Sequence, residues 1–190
     1  MLFRSRRLAK RTKEEVADRC GCGGRVVVGF GDLLRHDESR HVAGGDQRSA
    51  DRGHGHRDPL FDKLVIGIGR NNNKEPMFSE EQRLQWVREI YKDNPKVDVV
   101  IYDGLTVDCC KRVGAGFILR GIRYVNDFEY EKAIADMNRS LEHHVETIFL
   151  TCLPQFTSVA STLVRDVLRN GGNVSQFLPA VVNEAISKKK

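Results

Sequence analysis

The sequence predicts an α/β fold, a doubly wound parallel sheet, and three observations lead to it. Short β-rich apolar runs alternate with helical patterns along residues 60–190, and strands that alternate with helices pair in parallel and bury both faces of their sheet. The apolar runs give way to polar stretches rich in glycine, amide, hydroxyl or guanidinium groups. Ligands of such sheets bind beyond the carboxyl ends of the strands, where those stretches would lie. A length of 190 residues, 40% of them apolar, suffices for one core without disulfide or metal staples.

Lys63-Leu-Val-Ile-Gly-Ile-Gly69 is apolar and ends in glycine, the pattern of a buried strand. Ser79-Glu-Glu-Gln82 has capping-box spacing and opens a helix carrying Leu84, Trp86, Val87 and Ile90. Val97–Tyr102 reads as a strand, Leu105–Val113 as a helix and Gly116–Leu119 as a third strand. A long helix is expected from Val125 to Leu141, then a strand over Val145–Thr151. Helices near Val159–Arg169, stopped by Gly171-Gly172, and near Leu178–Ser187 follow.

The formal net charge of +5 suits a phosphorylated substrate and does not demand nucleic acid. No apolar run nears the ~18 residues of a membrane span, so no membrane partner is expected. Five cysteines without regular spacing do not form a disulfide framework and suggest a reducing, cytoplasmic compartment. The basic excess is local. Residues 1–59 hold 11 Arg and 2 Lys against 6 Asp and 3 Glu, with 9 of the 17 glycines and little hydrophobic pattern. One reading of this atypical Arg/Gly/His-rich segment is an arm for nucleic acid or organelle import; the other is a poorly ordered or non-native extension. Residues 60–190 carry the domain.

Leu119-Arg-Gly-Ile-Arg123 puts two guanidiniums three residues apart around a glycine, at the end of a strand. Such forks grip phosphate oxygens bidentately and neutralise charge that develops during phosphoryl transfer. They could equally pair with Asp127, Glu129 or Glu131. Lys74 follows three asparagines in a loop, and Thr157-Ser-Val-Ala-Ser-Thr162 puts hydroxyls at a helix start, as an anion site or as plain caps. These cations, amides and hydroxyls fit a polyanion such as a nucleoside triphosphate. Cys20-Gly-Cys22 lacks the paired spacing of a zinc site. Cys109-Cys110 places at least one thiol in the core, and His143-His144 flank a helix end. Gly29-Phe-Gly31 is not a full G-x-G-x-x-G, and no G-x-x-x-x-G-K-[ST] occurs.

Six segments carry a resemblance at their mutual spacing. They are Asn73-Lys-Glu-Pro-Met-Phe78, Leu119-Arg-Gly-Ile-Arg123, Asp127-Phe-Glu-Tyr-Glu131, Met137-Asn-Arg139, Val159-Ala-Ser-Thr-Leu-Val-Arg165 and Gly172-Asn-Val-Ser-Gln-Phe-Leu-Pro179. From Leu60 onward the chain resembles the bacterial phosphopantetheine adenylyltransferases. The resemblance implies a Rossmann-like nucleotidyltransferase fold and the penultimate step of coenzyme A synthesis. ATP and 4′-phosphopantetheine would give 3′-dephospho-coenzyme A and pyrophosphate, with Mg2+, in a cytoplasmic homohexamer. It implies Lys74, Thr106 and Arg120 as pantetheine-side contacts. As ATP contacts it implies Gly121, Ile122, Arg123, Glu131, Phe156, Thr157, Ser158, Val159, Ala160, Ser161 and Thr162. No covalent enzyme intermediate is expected, so catalysis is positioning and charge neutralisation.

The family's opening segment is not matched. Its members have a strand, then Gly-Thr/Ser-Phe-Asp-Pro, then a histidine-bearing helix start. Val26-Val-Val-Gly-Phe-Gly-Asp32 is similar to the strand and its glycine, but Phe30 stands at the Thr/Ser position and Leu33 at the proline. Only four residues separate His56 from Phe61, too few for the intervening helix. No catalytic residue is therefore carried over. Out-of-frame translation of a GC-rich gene up to about Leu60, or a divergent N-terminus, would explain this, and the former expects the first strand to be missing or mispaired. The alternatives in function are an impaired nucleotide- or pantetheine-binding module and another nucleotidyltransferase.

Overall fold

The computed structural model describes residues 24–29, 61–70, 76–152, 154 and 157–188. Five parallel strands make one sheet: β1 (Arg25–Gly29), β2 (Lys63–Gly69), β3 (Val97–Tyr102), β4 (Phe117–Ile122) and β5 (Glu146–Thr151). Their order is β3-β2-β1-β4-β5. The chain winds outward from β1 to β2 and β3, then returns to the other side for β4 and β5. The crevice at this reversal is where open α/β sheets bind ligands.

β1 overturns the expectation of a missing or mispaired first strand. Val26, Val27 and Val28 pair in parallel with Leu64, Val65 and Ile66 on one side and with Phe117, Ile118 and Leu119 on the other. Three successive β-branched residues suit a strand buried on both faces, and all three valines are buried. The sheet thus begins upstream of the division placed at Leu60. The remaining Arg- and His-rich stretches, residues 1–23 and 30–60, lie outside the described residues.

Alternate strand residues sort onto two faces, as a period of two requires. Val26, Val28, Leu64, Ile66, Phe117 and Leu119 meet Val87 of helix α1 (Glu80–Ile90) on one face. Val27, Val65 and Ile118 meet Val107 and Cys110 of α2 (Thr106–Val113), with Ala115 and Val145, on the other. Helices α3 (Val125–Leu141), α4 (Ser161–Arg169) and α5 (Ala180–Ser187) complete the described structure. No helix among the described residues is long and apolar enough to cross a membrane.

The capping box forms as its spacing predicts. Ser79 Oγ accepts the Gln82 N–H at 3.2 Å, and the Gln82 side chain accepts the Ser79 N–H at 3.2 Å. α2 stops at Gly114, whose φ of +64° is a left-handed value that glycine adopts without strain. Three boundaries move by two residues or more. β4 extends past Leu119 because Arg120, Gly121 and Ile122 pair with Phe149, Leu150 and Thr151 of β5. α4 begins at Ser161 rather than Val159. α5 begins at Ala180, because Leu178 precedes a proline and is held extended.

Candidate active site

Parallel pairing brings the carboxyl ends of all five strands to one edge of the sheet. At the end of β2, the Arg70 N–H donates to the Tyr102 carbonyl at 2.9 Å. The Arg70 guanidinium donates to Asp103 at 3.1 Å and to Glu80 at 3.3 Å, joining the ends of β2 and β3 to the start of α1. The Asp103 charge, then that of Glu80, raises the pKa of Arg70. At the end of β3, the Tyr102 hydroxyl lies 3.0 Å from Thr106 Oγ1 at the start of α2.

The two arginines of β4 are both engaged by acids of α3. Arg120 Nε and Nη2 donate to the two carboxylate oxygens of Glu131 at 2.8 and 2.7 Å. Glu131 is buried, at 8% exposure, and each of its oxygens thus meets one arm of the guanidinium fork. Arg123 Nε and Nη2 donate to the carboxylate oxygens of Asp127 at 2.9 and 3.2 Å, and the Arg123 backbone N–H joins them at 3.2 Å. The hydrogen bond that Arg123 donates to Asp127 raises the Arg123 pKa against the opposing effect of burial. The pairing left open by spacing is therefore made by Asp127 and Glu131, with Glu129 on a different side of the helix. The bidentate pairs hold both guanidiniums at the end of β4.

At the other side of the edge, α4 starts at an N-cap of Ala160 with no side-chain capping hydrogen bond. An alanine at this position has no side-chain oxygen to offer the first-turn N–H groups of the helix. Ser161 and Thr162 are exposed, while Thr157, Val159 and Ala160 are half-buried. A cleft of about 390 Å³ opens between the strand ends Gly29, Gly69 and Tyr102, the segment Met77-Phe78 with Trp86 of α1, and Ser161, Val164 and Arg165 of α4. Phe78 and Trp86 meet edge to face, with ring centroids 4.8 Å apart.

Of the residues predicted for the site, Val159 and Ser161 line this cleft, and Thr106 reaches its wall through Tyr102. Arg120, Gly121, Ile122, Arg123 and Glu131 gather beside it at the end of β4 and do not line it. Lys74 and Phe156, like Cys20 and Cys22, lie outside the described residues. Sequence reasoning did not single out Tyr102 or Trp86 for the site. The available signal was the glycine alternation at Gly67 and Gly69, which leaves one strand face bare for a neighbouring ring.

No three His, Cys, Asp or Glu side chains converge on a metal position among the described residues. Among the described residues, the carboxylates of Asp127 and Glu131 are engaged by Arg123 and Arg120. Cys109 and Cys110 are both buried, and burial pushes the Cys110 thiol up to about 12. His143 flanks its helix end, Nδ1 lying 3.3 Å from the Arg139 carbonyl.

Residues 58–167 match the model of a family described as cytidylyltransferase-like. The phosphopantetheine adenylyltransferase of Flavobacterium psychrophilum is 51% identical over 124 residues, covering 65% of this chain and 82% of that one. Its counterpart in Bacteroides thetaiotaomicron is 50% identical over 120 residues, 63% of this chain and 79% of that one. A solved structure from Vibrio parahaemolyticus, described as a nicotinate-nucleotide adenylyltransferase, superposes with a TM-score of 0.51. It is 15% identical and covers 87% of this chain and 99% of that one, a likeness of fold alone.

Proposed function

The chain belongs to the phosphopantetheine adenylyltransferase family, and from that premise we propose that it transfers the adenylyl group of ATP to 4′-phosphopantetheine. The products are 3′-dephospho-coenzyme A and pyrophosphate. The observation that carries this reading is 51% identity over 124 residues with an enzyme of that name. The fold is consistent with it, since the end of β4 carries two guanidiniums held by acids and the start of α4 lines the cleft with Ser161.

The substrate phosphate attacks the α-phosphorus in line, and pyrophosphate leaves. Negative charge grows on the α- and β-phosphate oxygens, so the chain's task is to hold both substrates and meet that charge with preset donors. We assign Arg120, Thr106 and Lys74 to the phosphopantetheine side. Arg123, the backbone at Gly121 and Ile122, and the stretch 156–162 are assigned to ATP. Glu131 stays assigned to the ATP side while it holds Arg120, and Asp127 holds Arg123. Mg2+ enters this scheme with the triphosphate as part of the substrate, because magnesium commonly binds through phosphates with few protein ligands. A homohexamer in the cytoplasm completes the proposal and rests on the family alone.

Incubating the purified chain with ATP, Mg2+ and 4′-phosphopantetheine tests the reaction. Pyrophosphate and dephospho-coenzyme A are expected in equal amounts, with saturation by both substrates. Binding of both substrates without either product would sink it.

A further inference from the structure

We propose that Tyr102 is a positioning residue for the pantetheine arm, its hydroxyl setting the Thr106 hydroxyl toward a polar amide group of the substrate. The proposal rests on Thr106 being a pantetheine contact.

Three observations carry it. Tyr102 closes β3 and Thr106 opens α2, and the turn between them passes through Gly104 at a φ of +79°. That turn brings the two hydroxyls to 3.0 Å in a partly buried setting. The Tyr102 backbone is itself held, its carbonyl accepting the Arg70 N–H at 2.9 Å.

Space for the ring is made by two glycines of β2 that share one strand face. A Cβ at Gly67 would come 3.0 Å from Tyr102 Cε1, and one at Gly69 would come 3.3 Å from both Cζ and the hydroxyl oxygen. Two glycines in a strand interior weaken it and mark a close approach by something else. Here that approach is the Tyr102 ring, which also forms part of the cleft wall.

A threonine hydroxyl has one proton and rotates to suit its surroundings. When Tyr102 donates to Thr106 Oγ1, the threonine proton is left to donate outward. A carbonyl is then the matching group, and amide carbonyls are what the pantetheine arm carries. Without the tyrosine hydroxyl, Thr106 samples its other rotamers and the contact loses its preset orientation.

Titration calorimetry on the full chain tests this with 4′-phosphopantetheine and ATP as separate ligands. Tyr102→Phe keeps the ring and removes one oxygen. It is expected to weaken phosphopantetheine binding roughly five- to tenfold, leaving ATP affinity and melting temperature unchanged. Thr106→Val is expected to weaken phosphopantetheine at least as much, the double variant no further than Thr106→Val, and Thr106→Ser to restore most of it. If Thr106→Val binds phosphopantetheine like the wild type, the role of Thr106 fails and the proposal with it. If Thr106→Val weakens binding and Tyr102→Phe does not, the proposal alone is overturned. Equal loss of ATP affinity in Tyr102→Phe, or a lowered melting temperature, would make the tyrosine structural and overturn it too.

Discussion

Arg120 reaches Glu131 through two short hydrogen bonds, a geometry that a lysine ammonium does not reproduce. Arg120→Lys keeps the charge and loses the fork. If the guanidinium that Glu131 holds in place turns its remaining N–H groups to substrate phosphate, turnover should fall at least ~100-fold, about 2.7 kcal/mol of transition-state stabilisation. Pyrophosphate release measured on both forms checks it, and a change under about threefold would leave Arg120 as a partner of Glu131 only. A second residue-scale outcome concerns Gly67. Its Cα is bare because a Cβ there would stand 3.0 Å from the Tyr102 ring. Gly67→Ala should shift that ring and lower phosphopantetheine affinity about as much as Tyr102→Phe, in the same titration.

Among the elements, α1 owes its start to a reciprocal pair of hydrogen bonds between Ser79 and Gln82. Ser79→Ala removes one of them and should cost about 1 kcal/mol, a fall of roughly 2–4 °C in melting temperature for a chain of this size. Thermal unfolding followed by circular dichroism reads it. α2 carries a different signature. Burial raises the Cys110 thiol from 9.0 to about 12, and burial also raises Cys109 against the opposing charge of Arg112. Between those values the folded chain keeps a proton that the unfolded chain gives up, so stability is full below about pH 9 and falls as pH rises toward 12. Urea unfolding across pH 8 to 11 should show that decline, weakened in Cys110→Ala relative to its own pH 8 value. The same burial should keep Cys110 slow to alkylate in the native state at pH 8.

The whole molecule depends on β1, which stands in the middle of the sheet rather than at its edge. Removing residues 1–59 would open β2 and β4 along their full paired lengths and bare apolar side chains on both faces. Unpaired, apolar strand edges associate with one another, so the truncated chain should aggregate where the full chain stays dispersed, as size-exclusion chromatography of the two would show. Much of this architecture was legible from Lys63 onward, because strand periodicity, the capping box and the Gly171-Gly172 stop act within a few residues of chain. Spacing alone left the partner of each β4 arginine open among Asp127, Glu129 and Glu131. The choice falls to helix geometry, since residues four apart share a face of α3 and the one between them does not. The cleft joins residues from Gly29 to Arg165, and no local pattern could have announced it.

By itself, then, the sequence determined the alternation of strands and helices after Lys63, the capping box of α1 and the glycine stop after α4, and the family through motifs with fixed spacing. Those features rest on interactions between near neighbours, which any window of the chain contains. Only the tertiary structure decided that Val26–Val28 form the central strand, that Glu131 and Asp127 clamp the two arginines, and that Tyr102 lies over two bare glycines against Thr106. Each of these depends on which surfaces meet when the sheet closes its order, and hydrophobic burial is indifferent to sequence distance.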